Sequence, residues 1–396
     1  MLETVNLNYK NMWNKNALNI AKSRGTVTFQ SEVVGIIRLK EKTIIIAPSL
    51  PGVFFDYVLR MWLFVNLRYK KFEIPRQYSL SATSFGPDIS EIFVNELTLL
   101  TQKGLSGDYI EINRNAKYVR GKINYKNYFI LRPHGLLNCT MDEFSLDHKL
   151  NQLIYHCLLK VRHLSNDNKI LNRISYLLNF FKNLTYFPHF SVQEIDSIQL
   201  NRETSYYEKV LELCKIILKN LTISILGYNL EGYSFLVDFN LLFEDFIKKV
   251  LFTHSRENEF SSWKDFKVFG RYKAHDERIK EKKCLPDLFY RYNASDNSAK
   301  FVIDIKNKFG DPFSNEDIYQ VVFYSMFLNT NKVILIYPSV TRKKAILFRF
   351  KFQEKEFHLY AVFFNIAGEE QTFVTQLNNF VDSIYEIVTE RYTGFR

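Results

Sequence analysis

The order of helix-type and strand-type patterns after residue 234 constrains the fold more than any other feature of the chain. FLVDFNLLFEDFIKKVLF predicts an amphipathic helix with Phe243, Phe246, Ile247 and Val250 on its inner face. The strand-type segments FKVFGRYKA, CLPDLFYRYN and KFVIDIKNKF follow, and then the helix-type NEDIYQVVFYSMFLN and the buried strand pattern KVILIYPS. Helix, three strands, helix and strand is the order of an α/β domain.

The earlier part of the chain has different patterns. Residues 33–39 and 43–47 are β-branched runs that predict strands, and residues 53–67 predict a mostly buried helix. From residue 145 to about 218 the spacing of apolar residues is helical, and Cys157 and Cys214 lie on the apolar stripes. We therefore expect these two cysteines to be core residues rather than reactive thiols.

Length and these patterns together predict an α+β or α/β multidomain chain, because 396 residues correspond to two or three domains of roughly 150 residues. We expect a β-rich amino-terminal region with helices at 1–135 and a helical middle region at 136–228. A carboxyl-terminal domain at 229–396 would then contain a mixed central sheet flanked by helices. The turn-like GYNLEGYS, residues 227–234, marks the second boundary.

Composition restricts the class of protein. The 4 cysteines are widely spaced without a CxxC pair, which fits neither a zinc site nor a disulfide framework. The polar amino terminus and the lack of a long uncharged apolar run predict a cytoplasmic protein without a membrane partner. The net charge of +11 favours a polyanionic partner such as nucleic acid, although a generally basic proteome would explain it equally well.

The residues that point to chemistry are Pro286-Asp287 and the triplet Asp304-Ile305-Lys306. Because side chains alternate along a strand, Val302, Asp304, Lys306 and Lys308 would share one face, solvated and charged, opposite an apolar face. A hairpin would bring Asp287 beside Asp304. Two adjacent carboxylates repel each other unless a cation lies between them, and carboxylate oxygens suit Mg²⁺.

The lysine of this pattern would face the same way as the second carboxylate. Lys306 could orient a water or neutralise charge that develops on a phosphate, and Glu244 on the preceding helix could add a carboxylate. The pattern is short, and a solvated strand face with salt bridges accounts for the same charges. The residues by themselves leave both interpretations open.

Several segments, in order, resemble the McrC family of nuclease subunits, of the PD-(D/E)xK nuclease superfamily; the related LlaJI-type restriction subunits share the pattern. The resemblance is carried by GLSGDYIEINRNAKYVRGKIN, FSLDHKLNQLIYHCLL, FLVDFNLLFEDFIKKVL, CLPDLFYRY, FVIDIKNK and DIYQVVFYSMF. It implies a PD-(D/E)xK nuclease fold for the carboxyl-terminal domain, and a restriction system active in bacterial or archaeal anti-phage defence.

The resemblance also implies roles for individual residues. Asp287 and Asp304 would bind Mg²⁺, with Mn²⁺ as an alternative, and Lys306 would be the catalytic lysine. Gln320 and Tyr324, one helical turn apart, would border the active site, and Gln320 would support catalysis. Glu244 would be the acidic residue of the first helix.

For the rest of the chain, the resemblance implies docking onto a ring of McrB-like AAA+ GTPases and stimulation of their nucleotide hydrolysis. The chain has no GxxxxGK[ST] motif with which to bind the nucleotide itself. Arg120 and Lys122 are candidate ring contacts. Family members often have a lysine after the proline where this chain has Pro48-Ser49.

The sequence therefore predicts a Mg²⁺-dependent endonuclease that cuts double-stranded DNA as a subunit of a restriction complex. Two alternatives stay open at this point: a non-catalytic subunit that activates or bridges an AAA+ ring, and a stand-alone repair nuclease.

Overall fold

A computed structural model gives the structure of the chain. The structure describes residues 6–7, 9–10, 13–21, 26–39, 42–46, 55–66, 85–125, 128–165, 167–186, 190, 192–220, 223–225, 228–255, 259–265, 267–273, 279–366 and 370–392.

Strands and helices alternate along the described part of the chain. The strands are β1 (Leu18–Ala21), β2 (Thr26–Phe29), β3 (Val33–Leu39), β4 (Lys42–Ile46), β5 (Asp108–Ala116), β6 (Lys122–Ile123), β7 (Leu137–Ser145), β8 (Ile223–Ile225), β9 (Tyr228–Asp238), β10 (Phe260–Ser261), β11 (Lys267–Lys273), β12 (Ile279–Cys284), β13 (Leu288–Asn293), β14 (Ser298–Ile305), β15 (Lys332–Ser339), β16 (Ile346–Phe352) and β17 (Lys355–Asn365). The α-helices are α1 (Phe55–Asn66), α2 (Phe85–Lys103), α3 (Tyr128–Leu131), α4 (Lys149–Leu164), α5 (Asn168–Phe181), α6 (Val192–Ser197), α7 (Glu208–Asn220), α8 (Phe239–His254), α9 (Asn315–Phe327) and α10 (Glu370–Val388).

The chain divides into two compact units. Unit 1 combines Met1–Thr83 with Phe235–Arg396, and unit 2 is Ser84–Ser234. Residue 228, where the second boundary was predicted, lies within unit 2, and most of the turn predicted at residues 227–234 is part of strand β9. The boundary predicted at residue 135 does not separate the two units.

Unit 1 is built around a six-stranded mixed sheet with the order β10-β13-β14-β15-β17-β16. Strands β14, β15 and β17 are parallel, and the outer pairs are antiparallel. Helix α9 connects β14 to β15, as the helix of a crossover between parallel strands does. This mixed sheet agrees only in part with the α/β order predicted from the sequence. FKVFGRYKA forms β11, which pairs with β12 outside the six-stranded sheet, and strands β10 and β12 were not predicted.

Helices cover both faces of this sheet. On one face Val321 and Leu328, from helix α9 and its end, pack with Val302, Leu335 and Leu359 of the strands. On the other face Phe364 of β17 contacts Phe246 of α8 at a ring-centroid distance of 5.2 Å and Phe380 of α10 at 5.3 Å. The strands of the sheet centre are therefore buried on both sides.

The amino-terminal segment belongs to unit 1 because helix α1 packs on the carboxyl-terminal helices. The Phe64 ring lies 5.3 Å from that of Phe246, and Lys249 donates a hydrogen bond to the Val65 carbonyl at 2.8 Å. Gly35 of β3 has a φ of +155°, and a Cβ there would lie 1.9 Å from the Phe235 carbonyl oxygen. A residue larger than glycine would therefore separate β3 from the start of the carboxyl-terminal domain.

Unit 2 contains helices and a three-stranded antiparallel sheet with the order β5-β7-β6. Helix α2 packs with α5 and α7, so residues 84–135 cannot be separated from the helical middle region. Cys157 and Cys214 are fully buried, which confirms them as core residues. Asn151 is buried as well and donates hydrogen bonds to the carbonyls of Ser106 and Leu146.

Replacement of Phe246 by Ala tests how strongly the helix layer stabilises unit 1. The ring is fully buried between two other rings, so we expect a loss of about 3–5 kcal/mol in the free energy of unfolding. The chain has 3 tryptophans, Trp13, Trp62 and Trp263, all within unit 1, so urea unfolding followed by tryptophan fluorescence reports this unit. Phe352→Ala, at a ring that is 50% exposed, is the control and should change stability by less than ~1 kcal/mol.

Candidate active site

The β13–β14 hairpin brings Asp287 and Asp304 together, as the sequence predicted. The strands are antiparallel with Leu288 opposite Ile303, so the next pair in this register is Asp287 and Asp304. The backbone N–H of Ile305 donates a hydrogen bond of 2.7 Å to Asp287 Oδ2. Asp287 is thereby fixed from the neighbouring strand, and one of its oxygens already has a donor.

Lys306 and Gln320 lie beside this pair. Lys306 follows directly after β14, and its Nζ is 2.5 Å from Asp304 Oδ2. The same ammonium donates to Gln320 Oε1 at 2.5 Å, and Gln320 Nε2 donates to the Tyr324 hydroxyl at 2.8 Å. The structure thus connects Asp304, Lys306, Gln320 and Tyr324 in one chain of polar contacts.

The strand that holds Asp304 is not solvated on its charged face, and that expectation was wrong. Val302 is fully buried and Asp304 is 4% exposed, because helix α9 covers this face of the sheet. Lys306 is partly buried, and Lys308, beyond the end of the strand, is exposed. The alternation of side chains was predicted correctly, but a helix shields the face on which water was expected.

Glu244 also lies near the two aspartates, and it has a partner that sequence reasoning missed. Lys248, one turn further along α8, forms an ion pair with Glu244, and its Nζ is 3.8 Å from Asp287 Oδ1. Burial lowers the pKa of Lys248, but the hydrogen bond to Glu244 and the charge of Asp287 outweigh it and raise the pKa. The i, i+4 spacing of Glu244 and Lys248 was the available signal.

Asp317 is the second residue that the sequence analysis did not identify. It is 2% exposed at the start of α9, where Lys308 Nζ lies 3.0 Å and Lys306 Nζ 3.8 Å from its Oδ1. Burial raises its pKa, but the hydrogen bonds from Lys308 and Ser314 outweigh burial and lower the pKa. Asp317 therefore stays ionised and attracts both lysines toward the end of β14. Its position at the first turn of a predicted helix gave no indication of this.

Asp287 and Asp304 are two carboxylates of like charge in a mostly buried environment. Burial, with the nearby charges of Asp304 and Glu244, raises the pKa of Asp287 from 3.8 to about 7. Burial also raises the pKa of Asp304, against the opposing effect of Lys306. A proton or another cation is therefore needed to hold both carboxylates in place near neutral pH.

The oxygen-only character of this pair fits a hard divalent cation. Mg²⁺ usually takes one or two protein carboxylates and keeps several waters. Across the described residues, no group of three or more His, Cys, Asp or Glu side chains is arranged to hold a metal ion. The carboxylate oxygens of Asp287 and Asp304 are donors of the kind that Mg²⁺ takes from proteins.

Arg120 and Lys122 lie in unit 2 and are both exposed. Lys122 begins β6, and Arg120 precedes Gly121, whose φ is +78°. A Cβ on Gly121 would lie 2.3 Å from the Thr140 carbonyl of β7, so this glycine lets the segment lie close against the sheet. Tyr118 and Tyr125 on either side are 65% and 70% exposed. The segment is thus a fixed, exposed surface of basic and aromatic side chains.

None of the helices in the described ranges is long and apolar enough to span a membrane.

The chain is a mixed α/β multidomain protein, with a six-stranded mixed sheet that has helices on both faces. An acidic pair and a lysine lie at one end of a central strand of this sheet. The chain belongs to the McrBC family, because the model of the McrBC 5-methylcytosine restriction system component matches residues 29–338. The family predicted from the sequence is therefore confirmed.

A solved structure supports this fold. The chain is similar to a chain of the refined half-complex from the tetradecameric assembly of Thermococcus gammatolerans McrB AAA+ hexamers with bound McrC, with 18% identity and a TM-score of 0.67. That similarity covers 98% of this chain and 94% of the other. A chain of the T. gammatolerans McrBC complex is similar over 63% of this chain and 79% of the other, with 18% identity and a TM-score of 0.48. A comparison with curated proteins found no significant match.

The raised pKa of Asp287 predicts how stability depends on pH in metal-free solution. An acid whose pKa is higher in the folded state binds more protons when folded. The stability contributed by Asp287 is therefore complete below about pH 4 and is lost as pH rises through about 7. We expect Asp287→Asn to become more stable relative to the unsubstituted chain as the pH rises from about 5 to about 8.

Urea titrations in EDTA, followed by tryptophan fluorescence, measure this difference. Asp382→Asn, at an exposed carboxylate of α10, is the control for the loss of one carboxylate charge. A stability difference for Asp287→Asn that does not change with pH, or that changes no more than the difference for Asp382→Asn, would contradict the described electrostatics.

Proposed function

We propose that the chain is the Mg²⁺-dependent DNA endonuclease subunit of an McrBC-like restriction complex. The observation that carries this proposal is the convergence of Asp287, Asp304 and Lys306 at the end of one antiparallel strand pair. Membership of a restriction-system family supports the same function. In this proposal unit 1 contains a nuclease domain of the PD-(D/E)xK type.

Asp287 and Asp304 are the proposed ligands of the ion, which is Mg²⁺ with Mn²⁺ as the alternative. Bound there, the ion supplies positive charge at the scissile phosphate and lowers the pKa of water. Deprotonation of Asp287 must accompany ion binding near neutral pH, because its pKa without an ion is about 7. Glu244 keeps its ion pair with Lys248 and adds negative charge near the two aspartates.

Lys306 is the proposed catalytic cation. Its ammonium contacts Asp304 and would contribute positive charge where the phosphate gains negative charge during attack by water. Gln320 orients this ammonium by accepting its hydrogen bond, and the Tyr324 hydroxyl in turn holds the amide of Gln320. Because helix α9 carries both Gln320 and Tyr324, the position of the helix determines the direction of the Lys306 side chain.

Duplex DNA is the proposed substrate, and an AAA+ ring is the proposed partner. The formal charge of +11 favours binding of a polyanion. The similar solved structure is described as McrB AAA+ hexamers with bound McrC, which supports a ring partner for this chain. The exposed Arg120 and Lys122 of unit 2 are proposed to contact the ring and to stimulate its nucleotide hydrolysis.

Removal of one carboxylate charge tests the catalytic assignment. Asp304→Asn keeps the shape of the side chain but removes the charge that the ion requires. We expect Mg²⁺-dependent plasmid cleavage by the reconstituted complex to fall by about a hundredfold or more. Asp382→Asn, with the same change at an exposed site, should cut at the normal rate. Undiminished cleavage by Asp304→Asn would refute the assignment.

A pair of variants separates cleavage from activation of the partner. Asp287→Ala with Asp304→Ala should abolish cutting but leave stimulation of the partner's nucleotide hydrolysis intact, because the two aspartates and the ring contacts lie in different units. Arg120→Glu with Lys122→Glu should instead reduce the partner's stimulated nucleotide hydrolysis by about tenfold or more.

Two outcomes of this experiment would favour the alternatives. Full cellular restriction by the double alanine variant would indicate a non-catalytic activating subunit. Strong Mg²⁺-dependent cutting by the isolated chain, without partner or nucleotide, would indicate a stand-alone nuclease.

A further inference from the structure

A two-stranded ribbon precedes the candidate active site in the sequence and has no role in the site as described. Strands β11 and β12 are antiparallel, from Lys267 opposite Cys284 to Lys273 opposite Ile279, with a bulge between Val268 and Gly270. Within the described residues they form a sheet of their own. Two strands alone are marginally stable in water, so contacts with other elements must fix this ribbon.

The base of the ribbon is anchored to unit 1. Lys267 donates hydrogen bonds to the Tyr292 hydroxyl at 3.0 Å and to Asn297 Oδ1 at 2.6 Å, and its ammonium lies 4.3 Å from the centroid of the Trp263 ring. Cys284, opposite it, is fully buried. These contacts orient the ribbon before its strands reach solvent.

Two further connections couple the ribbon to the candidate active site. Strand β12 ends at Cys284, and Asp287 follows after only Leu285 and Pro286. The ring of Phe269, at the bulge, lies 4.6 Å from that of Phe323 on helix α9, the helix that carries Gln320 and Tyr324. These short connections hold the ribbon near the residues around the aspartate pair.

The ribbon carries an excess of positive charge. Residues 267–284 contain seven Lys or Arg and three Asp or Glu in the sequence. In the described part, the side chains beyond the base are exposed on both strands. Exposed lysines of this density repel one another, so the arrangement is favourable only when anions are close to it.

The two faces of the ribbon differ. On one face Arg271 forms an ion pair of 3.0 Å with Glu281, which partly neutralises it. On the other face Tyr272 lies opposite Lys280, and Lys282 lies 5.6 Å from the centroid of the Tyr272 ring. Gly270, opposite Lys282, would find open space around a Cβ, so this face is sterically accessible. Among its described residues this second face carries lysines and no carboxylate.

We propose that the face formed by Tyr272, Lys280 and Lys282 binds the phosphate backbone of duplex DNA beside the site of cleavage. A two-stranded β-ribbon fits the major groove of B-DNA, and lysines on it reach the phosphates of the groove wall. The inference rests on the proposed nuclease function and adds the element that holds the substrate. The short connection to Asp287 places bound DNA next to the aspartate pair.

Binding of DNA by the full chain tests this inference without cleavage. The probe is a fluorescein-labelled duplex of about 30 base pairs in EDTA, with fluorescence anisotropy measured over a series of KCl concentrations. Lys280→Gln with Lys282→Gln should weaken binding by about ten- to hundredfold near 0.1 M KCl. The slope of log K against log [KCl] should fall by about 2, because two phosphate contacts are lost.

Lys351→Gln with Lys355→Gln is the matched control. Both double variants replace two lysines by glutamine, so the change in net charge is identical. The control lysines are exposed at the turn between β16 and β17, at the edge of the six-stranded sheet that lies opposite β10 and β13. The control should lose less than about threefold in affinity. Circular dichroism checks that both variants are folded.

The possible results distinguish the ribbon from the proposed function. Equal loss of affinity in both double variants, or no loss in either, overturns the ribbon as a DNA-binding element and leaves the nuclease assignment to the Asp304→Asn experiment. If Asp304→Asn still cuts DNA while Lys280→Gln with Lys282→Gln loses affinity, only the catalytic assignment is overturned.

A second measurement is independent of affinity. The 4 native cysteines are buried, so Lys282→Cys introduces an accessible thiol. This thiol should attack a mixed disulfide tethered to the DNA backbone, which forms a protein–DNA disulfide and releases the small thiol of the tether. An equivalent Lys355→Cys should not, and equal cross-linking of both would overturn the inference.

Discussion

The arrangement of unit 1 depends on two carboxylates that are held side by side where little water reaches them. Like charges in such a place repel, and burial alone disfavours the ionised form of each. The structure offsets this cost with three groups: the Ile305 N–H of strand β14, the Lys306 ammonium at the end of that strand and the Lys248 ammonium of helix α8. Burying carboxylates in this way opposes folding, and groups buried at such a cost cluster at functional sites.

The mixed sheet holds the two aspartates in a defined geometry. Antiparallel pairing of β13 with β14 fixes the aspartates relative to each other, and parallel pairing of β14 with β15 requires a connecting helix over the sheet. Helix α9 then places Gln320, Tyr324 and Asp317 around the end of β14, which is where α/β sheets commonly bind ligands. The core beneath, rich in phenylalanine, keeps strand and helix from moving independently.

Several features of the site were predictable from the sequence, and the reason differs between residues. Asp287, Asp304 and Lys306 could be paired because strand alternation and hairpin pairing are local rules that act over a few residues. Gln320 and Tyr324 were assigned to the site by the family resemblance, and the helical repeat shows only that they share one face of a helix. Lys248 and Asp317 were missed because each approaches the site from a different element, and no local rule relates their positions in the chain to those of the aspartates.

The sequence by itself determined the family, the α/β order of the carboxyl-terminal region and the residues that could meet in a hairpin, because periodicity and segment order act along the chain. Only the tertiary structure decided that the charged face of β14 is buried, since that depends on where a helix packs. It also decided that residues 1–83 join the carboxyl-terminal unit while residues 84–135 join the helices. Contacts such as that of Phe64 with Phe246 connect residues far apart in the chain, and no pattern along the sequence records them.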